Sequence, residues 1–141
     1  MDVTDISVGT GFYTMLFAEK MGPIGIVYTV DIVENFVNHI TKTARELGLD
    51  NVKGIVNTDY STNLKENSVN VVFMTDTYHH FEYPFRMLES IRSALRPDGM
   101  VALVDLWRIE GVTEQFVLDM VCADKGAFTD EFSNVGFELI E

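Results

Sequence analysis

One cysteine, three prolines and one tryptophan are all that 141 residues contain of these types. A lone cysteine excludes an internal disulfide and offers no metal-ligand spacing. Cys122 lies among Val117, Leu118, Met120 and Val121, the setting of a buried structural thiol rather than a nucleophile. Positive charge is scarce as well: 10 Lys and Arg stand against 22 Asp and Glu, a formal charge of −12. Such a balance argues against a surface built to neutralise phosphates, so nucleic acid is not an expected partner. Many of the acids come late, at Asp105, Glu110, Glu114, Asp119, Asp124, Asp130, Glu131, Glu138 and Glu141. No apolar run approaches the length of a membrane span and no basic-then-apolar leader opens the chain, so the expected location is a reducing cytoplasm.

What is present has ordinary globular proportions, 47% hydrophobic and 23% charged residues, and is expected to form one domain over residues 1–141. Apolar runs of strand length alternate with segments of helical period. Predicted strands cover Val3 to Val8, Ile26 to Val30, Val52 to Val56, Val69 to Met74 and Met100 to Leu106. Between them the pattern predicts a helix over Phe12 to Met21, with Leu16 and Phe17 inward, broken by Gly22-Pro23-Ile24-Gly25. A second helix is predicted from about Glu34 to Leu47, burying Phe36, Val37, Ile40, Ala44 and Leu47, with Gly48 as its left-handed cap. A third runs from Pro84 to Leu95, inward at Leu88, Ile91 and Leu95, and Arg96-Pro97-Asp98-Gly99 is read as a turn. A fourth is expected from Val112 to about Lys125, and a sixth strand begins after Gly136-Phe137. Alternation of this kind demands parallel strands with right-handed crossovers: an α/β, Rossmann-like open sheet, helices on both faces, in the order 3-2-1-4-5-6. Ligands of such sheets bind outside the carboxyl ends of the strands, where the strand order reverses.

The informative segment is Asp5-Ile6-Ser7-Val8-Gly9-Thr10-Gly11-Phe12. Glycines at a strand-to-helix turn let the backbone approach a ligand and leave helix-start amides free to bind it. Asp31 ends the second strand 20 positions beyond Gly11, where a carboxylate can accept from both hydroxyls of a ribose. Thr14 stands where a nicotinamide fingerprint needs a small residue, and the loop has no lysine followed by serine or threonine, which excludes a P-loop.

These residues resemble the first motif of class I S-adenosylmethionine-dependent methyltransferases, acid-x-Gly-x-Gly-x-Gly. The similarity continues through Tyr28-Thr29-Val30-Asp31-Ile32, Asn57-Thr58-Asp59, the run Val71 to Phe81 and Leu95-Arg96-Pro97-Asp98-Gly99. It is greatest with small-molecule enzymes of the quinone-biosynthesis type. Ser7 stands where that family has its first glycine. The family's helices before the first strand and its antiparallel seventh strand fall outside these residues, so a truncated core is expected.

The resemblance implies S-adenosyl-L-methionine as cofactor and a small-molecule acceptor. Ser7, Gly9, Thr10 and Gly11 would hold its methionine end, with Asp5 bonding the amino group or else capping a helix. Asp31 would hold the ribose. Asp59 would accept from the adenine amino group unless it is a solvated turn acid, with Ile32 or Tyr60 packed on the ring. Thr75 would set a carbonyl near the sulfonium. His79 and His80 would supply a base where the acceptor must lose a proton, or else pack at a helix start beside Tyr78 and Phe81. The alternative is a non-catalytic binding or scaffold domain. Exposed sheet edge and apolar surface lead to the expectation of a homodimer.

Overall fold

The computed structural model describes residues 1–6, 9–75, 77–78, 81–104 and 125–140. Five parallel strands form one sheet in the order β3-β2-β1-β4-β5. They are β1 (Val3–Ile6), β2 (Val27–Asp31), β3 (Val52–Val56), β4 (Val69–Thr75) and β5 (Leu95–Val104), and they alternate with α1 (Phe12–Met21), α2 (Glu34–Glu46) and α3 (Pro84–Ala94). A fourth helix, α4, spans Lys125–Asn134.

The strand order reverses beside β1, which lies between β2 and β4. In register, Ile6 aligns with Val30 on one side and with Met74 on the other. The carboxyl ends of the three central strands therefore come level, and the loops leaving them share one edge.

The core forms where Ile6, Val30, Val72 and Met74 of the sheet meet Met87, Leu88, Ile91 and Ala94 of α3. Each of these side chains is nearly or fully closed to solvent. Burying each of the larger of these side chains contributes about 1.5–3 kcal/mol, so α3 is held firmly on this face of the sheet.

Several sequence expectations need correction. In α2 only Val37, Ile40 and Ala44 are buried; Phe36 and Leu47 are 46% and 64% exposed. Three residues at helical spacing already cover this part of the sheet, and the stripe is narrower than its apolar composition. Gly48 does cap the helix, with its N–H on the Arg45 carbonyl and that of Leu49 on Ala44. In α1 the closed positions are Thr14 and Ala18; Phe17 is half-buried against Phe73, and Leu16 lines a cleft shared with Thr43.

Arg96 to Gly99 do not separate helix from strand. β5 pairs at Leu95 opposite Val69 and again at Met100 opposite Val71, so the intervening four residues bulge out of a continuing strand. Arg96 uses the bulge to reach Asn70 Oδ1 at 2.6 Å and Asp2 Oδ2 at 2.9 Å.

The segment after Gly136 is not a strand. Gly136 takes φ 96°, its N–H bonds the Ser133 carbonyl, and the N–H of Phe137 bonds that of Phe132. This is a Schellman cap closing α4, completed by contact between the Phe132 and Phe137 rings at 5.5 Å. The cap turns the chain back onto its own helix instead of out to the sheet. Of the predicted helix from Val112 to Lys125, only Lys125 lies within the described residues, as the first residue of α4.

Candidate functional site

The loop leaving β1 carries two left-handed glycines, Gly9 at φ 54° and Gly11 at φ 85°. Gly9 and Thr10 are exposed, whereas Gly11 is buried against α2. A Cβ on Gly11 would come within 2.7 Å of Ile40 Cγ1, and one on Gly9 would meet nothing. Gly11→Ala is therefore expected to cost more stability than Gly9→Ala. Each pays about 1–2 kcal/mol for the left-handed backbone, and only Gly11→Ala must also displace Ile40. Chemical denaturation of the two variants measures the difference, and equal losses would show that α2 yields freely.

Beneath this loop Asp5 is only 2% exposed. Its Oδ2 accepts from the Thr14 hydroxyl at 2.8 Å, and that hydroxyl also lies 3.1 Å from Thr29 Oγ1. The Thr14 backbone N–H adds a second bond to the carboxylate. Asp5 thus meets the first turn of α1 from below, where Gly11 at the N-cap has no side chain to do so. Burial pushes its carboxyl up to about 6; the Thr14 bonds oppose that rise and the Asp31 charge adds to it.

Asp31 closes β2 at 6% exposure. Its Oδ1 accepts the Val33 N–H at 2.9 Å, and its Oδ2 has no donor among the described residues. Ile32 follows at 51% exposure. At the end of β3 the Asn57 N–H reaches the Asp31 carbonyl at 3.1 Å, bringing the two strand ends together. Asn57 Oδ1 is buried with no partner among the described residues. The Thr58 hydroxyl accepts from the N–H groups of Tyr60 and Ser61, a turn that leaves Asp59 exposed and Tyr60 half open. Ser90 of α3 pins the same loop, with its Oγ 2.9 Å from both the N–H and the hydroxyl of Thr62.

At the end of β4 the Thr75 carbonyl accepts from the Thr77 hydroxyl at 2.8 Å. Tyr78 points into the core, where its hydroxyl donates to Glu131 of α4 and its ring meets Phe81 and Phe132. Burial, then Glu131, raises this phenol far above its ordinary range. Ser7, His79 and His80 lie outside the described residues.

The structure thus brings Gly9, Thr10, Gly11, Asp31, Ile32, Asp59, Tyr60 and Thr75 to one edge of the sheet and sets Asp5 below it. Thr14 and Thr29, which fix Asp5, had no signal in the sequence beyond two threonines in apolar runs. Among the described residues there is no group of three or more His, Cys, Asp and Glu placed to hold a metal ion.

Residues 4–103 match the family described as "Methyltransferase domain". The chain belongs to this family, as a class I S-adenosylmethionine-dependent methyltransferase domain. It is 31% identical over 104 residues to a ubiquinone/menaquinone biosynthesis C-methyltransferase (UbiE) of Blochmanniella floridana, covering 73% of this chain and 41% of that protein. An arsenite methyltransferase of Halobacterium salinarum is 24% identical over 99% of this chain and 38% of its own length. Among solved structures, a SAM-dependent methyltransferase from Aquifex aeolicus superposes with a TM-score of 0.89 at 26% identity, over all of this chain and 74% of that one. This methyltransferase domain accordingly spans about two fifths of the length of the curated relatives it matches.

The family's cofactor can be tested against the residues present. Asp31 Oδ2 without a donor among the described residues, the exposed Gly9-Thr10 backbone, and open apolar side chains on Ile32 and Tyr60 suit a ribose, an amino-acid tail and a flat base in turn. The donor set fits.

Proposed function

We infer that the protein transfers a methyl group from S-adenosyl-L-methionine to a small-molecule acceptor. The observation that carries this reading is Asp31, whose carboxylate ends β2 with one oxygen fixed by Val33 and the other without a donor among the described residues. It stands beside the glycine loop where the strand order reverses, the place at which open α/β sheets bind nucleotides. When bound, the cofactor supplies an electrophilic methyl group on a sulfonium centre.

The chain's own residues orient and shield. Asp31 holds the ribose hydroxyls, and the Gly9 to Gly11 backbone holds the methionine end together with Ser7. Asp59 accepts from the adenine amino group, and Tyr60 and Ile32 flank the ring. Asp5 supports the loop through Thr14. The Thr75 carbonyl would lie near the bound methyl donor, and His79 or His80 would take the acceptor's proton where one must leave.

The acceptor is taken to be of the quinone type. The UbiE relative has a higher identity than the arsenite methyltransferase, and Phe12, Phe36 and Tyr83 leave apolar surface at helix starts that follow the strands. We take the reaction to proceed in the cytoplasm and in a homodimer. No helix among the described residues is long and apolar enough to cross a membrane.

Titration calorimetry with S-adenosylmethionine and S-adenosylhomocysteine tests the reading. Both are expected to bind, and absence of binding by either would overturn it. Turnover of a demethylated quinone then separates an enzyme from a binding domain. Light scattering at low and moderate ionic strength should show a dimer strengthened by salt, because the −12 charge opposes association when unscreened.

A further inference from the structure

Arg86 is the third residue of α3, in the first turn of that helix. A cation there opposes the helix dipole, so helix stability does not account for it. Glu89 lies three residues after it on the helix, within reach of a helical ion pair, yet among the described residues Arg86 forms none. Its guanidinium instead lies over the Tyr60 ring, 5.4 Å from the centroid. One turn further along α3, Ser90 holds Ser61 and Thr62. Arg86 and Ser90 are four apart and share a helix face, so α3 grips the loop after β3 at two points. Ser90 takes its backbone and Arg86 takes its one aromatic ring. Tyr60 remains 50% exposed with the cation on one side.

We propose that Arg86 is a positioning residue for the adenine end of the site: stacked on one face of Tyr60, it holds the ring so that the other face receives the nucleobase. This rests on the reading that the chain binds S-adenosylmethionine. A guanidinium is suited to the task because it is flat, permanently charged and able to stack while its N–H edges stay hydrated.

The experiment is a double-mutant cycle read by titration calorimetry, with S-adenosylhomocysteine and adenosine as probes. Arg86→Met keeps the stem and removes the charge. It is expected to weaken both probes about two- to fivefold, the range of an exposed cation–π contact. Tyr60→Phe keeps the ring and is expected to preserve that dependence on Arg86. In Tyr60→Ala, Arg86→Met is expected to have no further effect. Thermal unfolding should differ little among the variants, which separates positioning from loss of fold. Additive effects of the two substitutions, or unchanged affinity in Arg86→Met, would overturn the proposal while leaving cofactor binding intact. Wild-type protein that binds neither probe would overturn both.

Discussion

Replacing Asp31 with alanine is expected to weaken S-adenosylhomocysteine binding by about 1.5–3 kcal/mol, the range for hydrogen bonds to a charged group. That is roughly a ten- to hundredfold rise in Kd, or slightly more. The carboxylate has two tasks, and they can be separated. Its Oδ1 receives the Val33 N–H at the entry to α2, and its Oδ2 has no donor among the described residues. Alanine removes both, so part of its effect will appear as lost stability. Asparagine can keep the Val33 bond through its own Oδ1 while presenting an uncharged amide to the ribose. Asp31→Asn should therefore unfold close to wild type and still lose affinity. Titration calorimetry and denaturant unfolding on both variants decide the matter. If Asp31→Asn binds as well as wild type, the carboxylate serves only to fix the start of α2.

The second large effect concerns stability and its pH dependence. Asp5 ionises at about 6 in the fold against an ordinary value of 3.8. A raised pKa means that the folded state holds the proton more tightly than the unfolded chain. The contribution is fully present below pH 3.8 and is lost as pH rises through about 6. About two pH units at 1.36 kcal/mol each give an ionised Asp5 a cost of about 3 kcal/mol at neutral pH. Asp5→Asn keeps an acceptor for the Thr14 hydroxyl and N–H without the buried charge. Relative to wild type it is expected to gain up to about 3 kcal/mol between pH 4 and pH 7.5, with no further gain above. Comparing the two proteins by denaturant unfolding across this range isolates Asp5 from the other carboxylates. A difference that does not change with pH would show that Asp5 is not desolvated. Because the Asp31 charge adds to the rise, the gain should shrink in an Asp31→Ala background.

The order of strands and helices, the glycine turn, Asp31 at a strand end and the Gly48 cap were all legible in the chain. Each is written in neighbours a few positions apart: a period of two or near four, a glycine where φ must be positive, an acid closing an apolar run. The rest depended on which residues the sheet brings together. Asp5 meets Thr14 and Thr29 only once β1, β2 and α1 are packed, and that contact makes it a buried support below the loop. Arg96 and Asp2 are 94 positions apart, and they meet only because β5 pairs with β4 on both sides of the residues expected to form a turn. Phe36 and Leu47 fit the apolar period of α2 yet stay exposed, because the area of sheet left to cover is fixed by the fold and not by the helix. Periodicity marks the face a helix can bury. How much of that face is buried, and which distant polar group meets a buried acid, is decided by sheet register and helix docking.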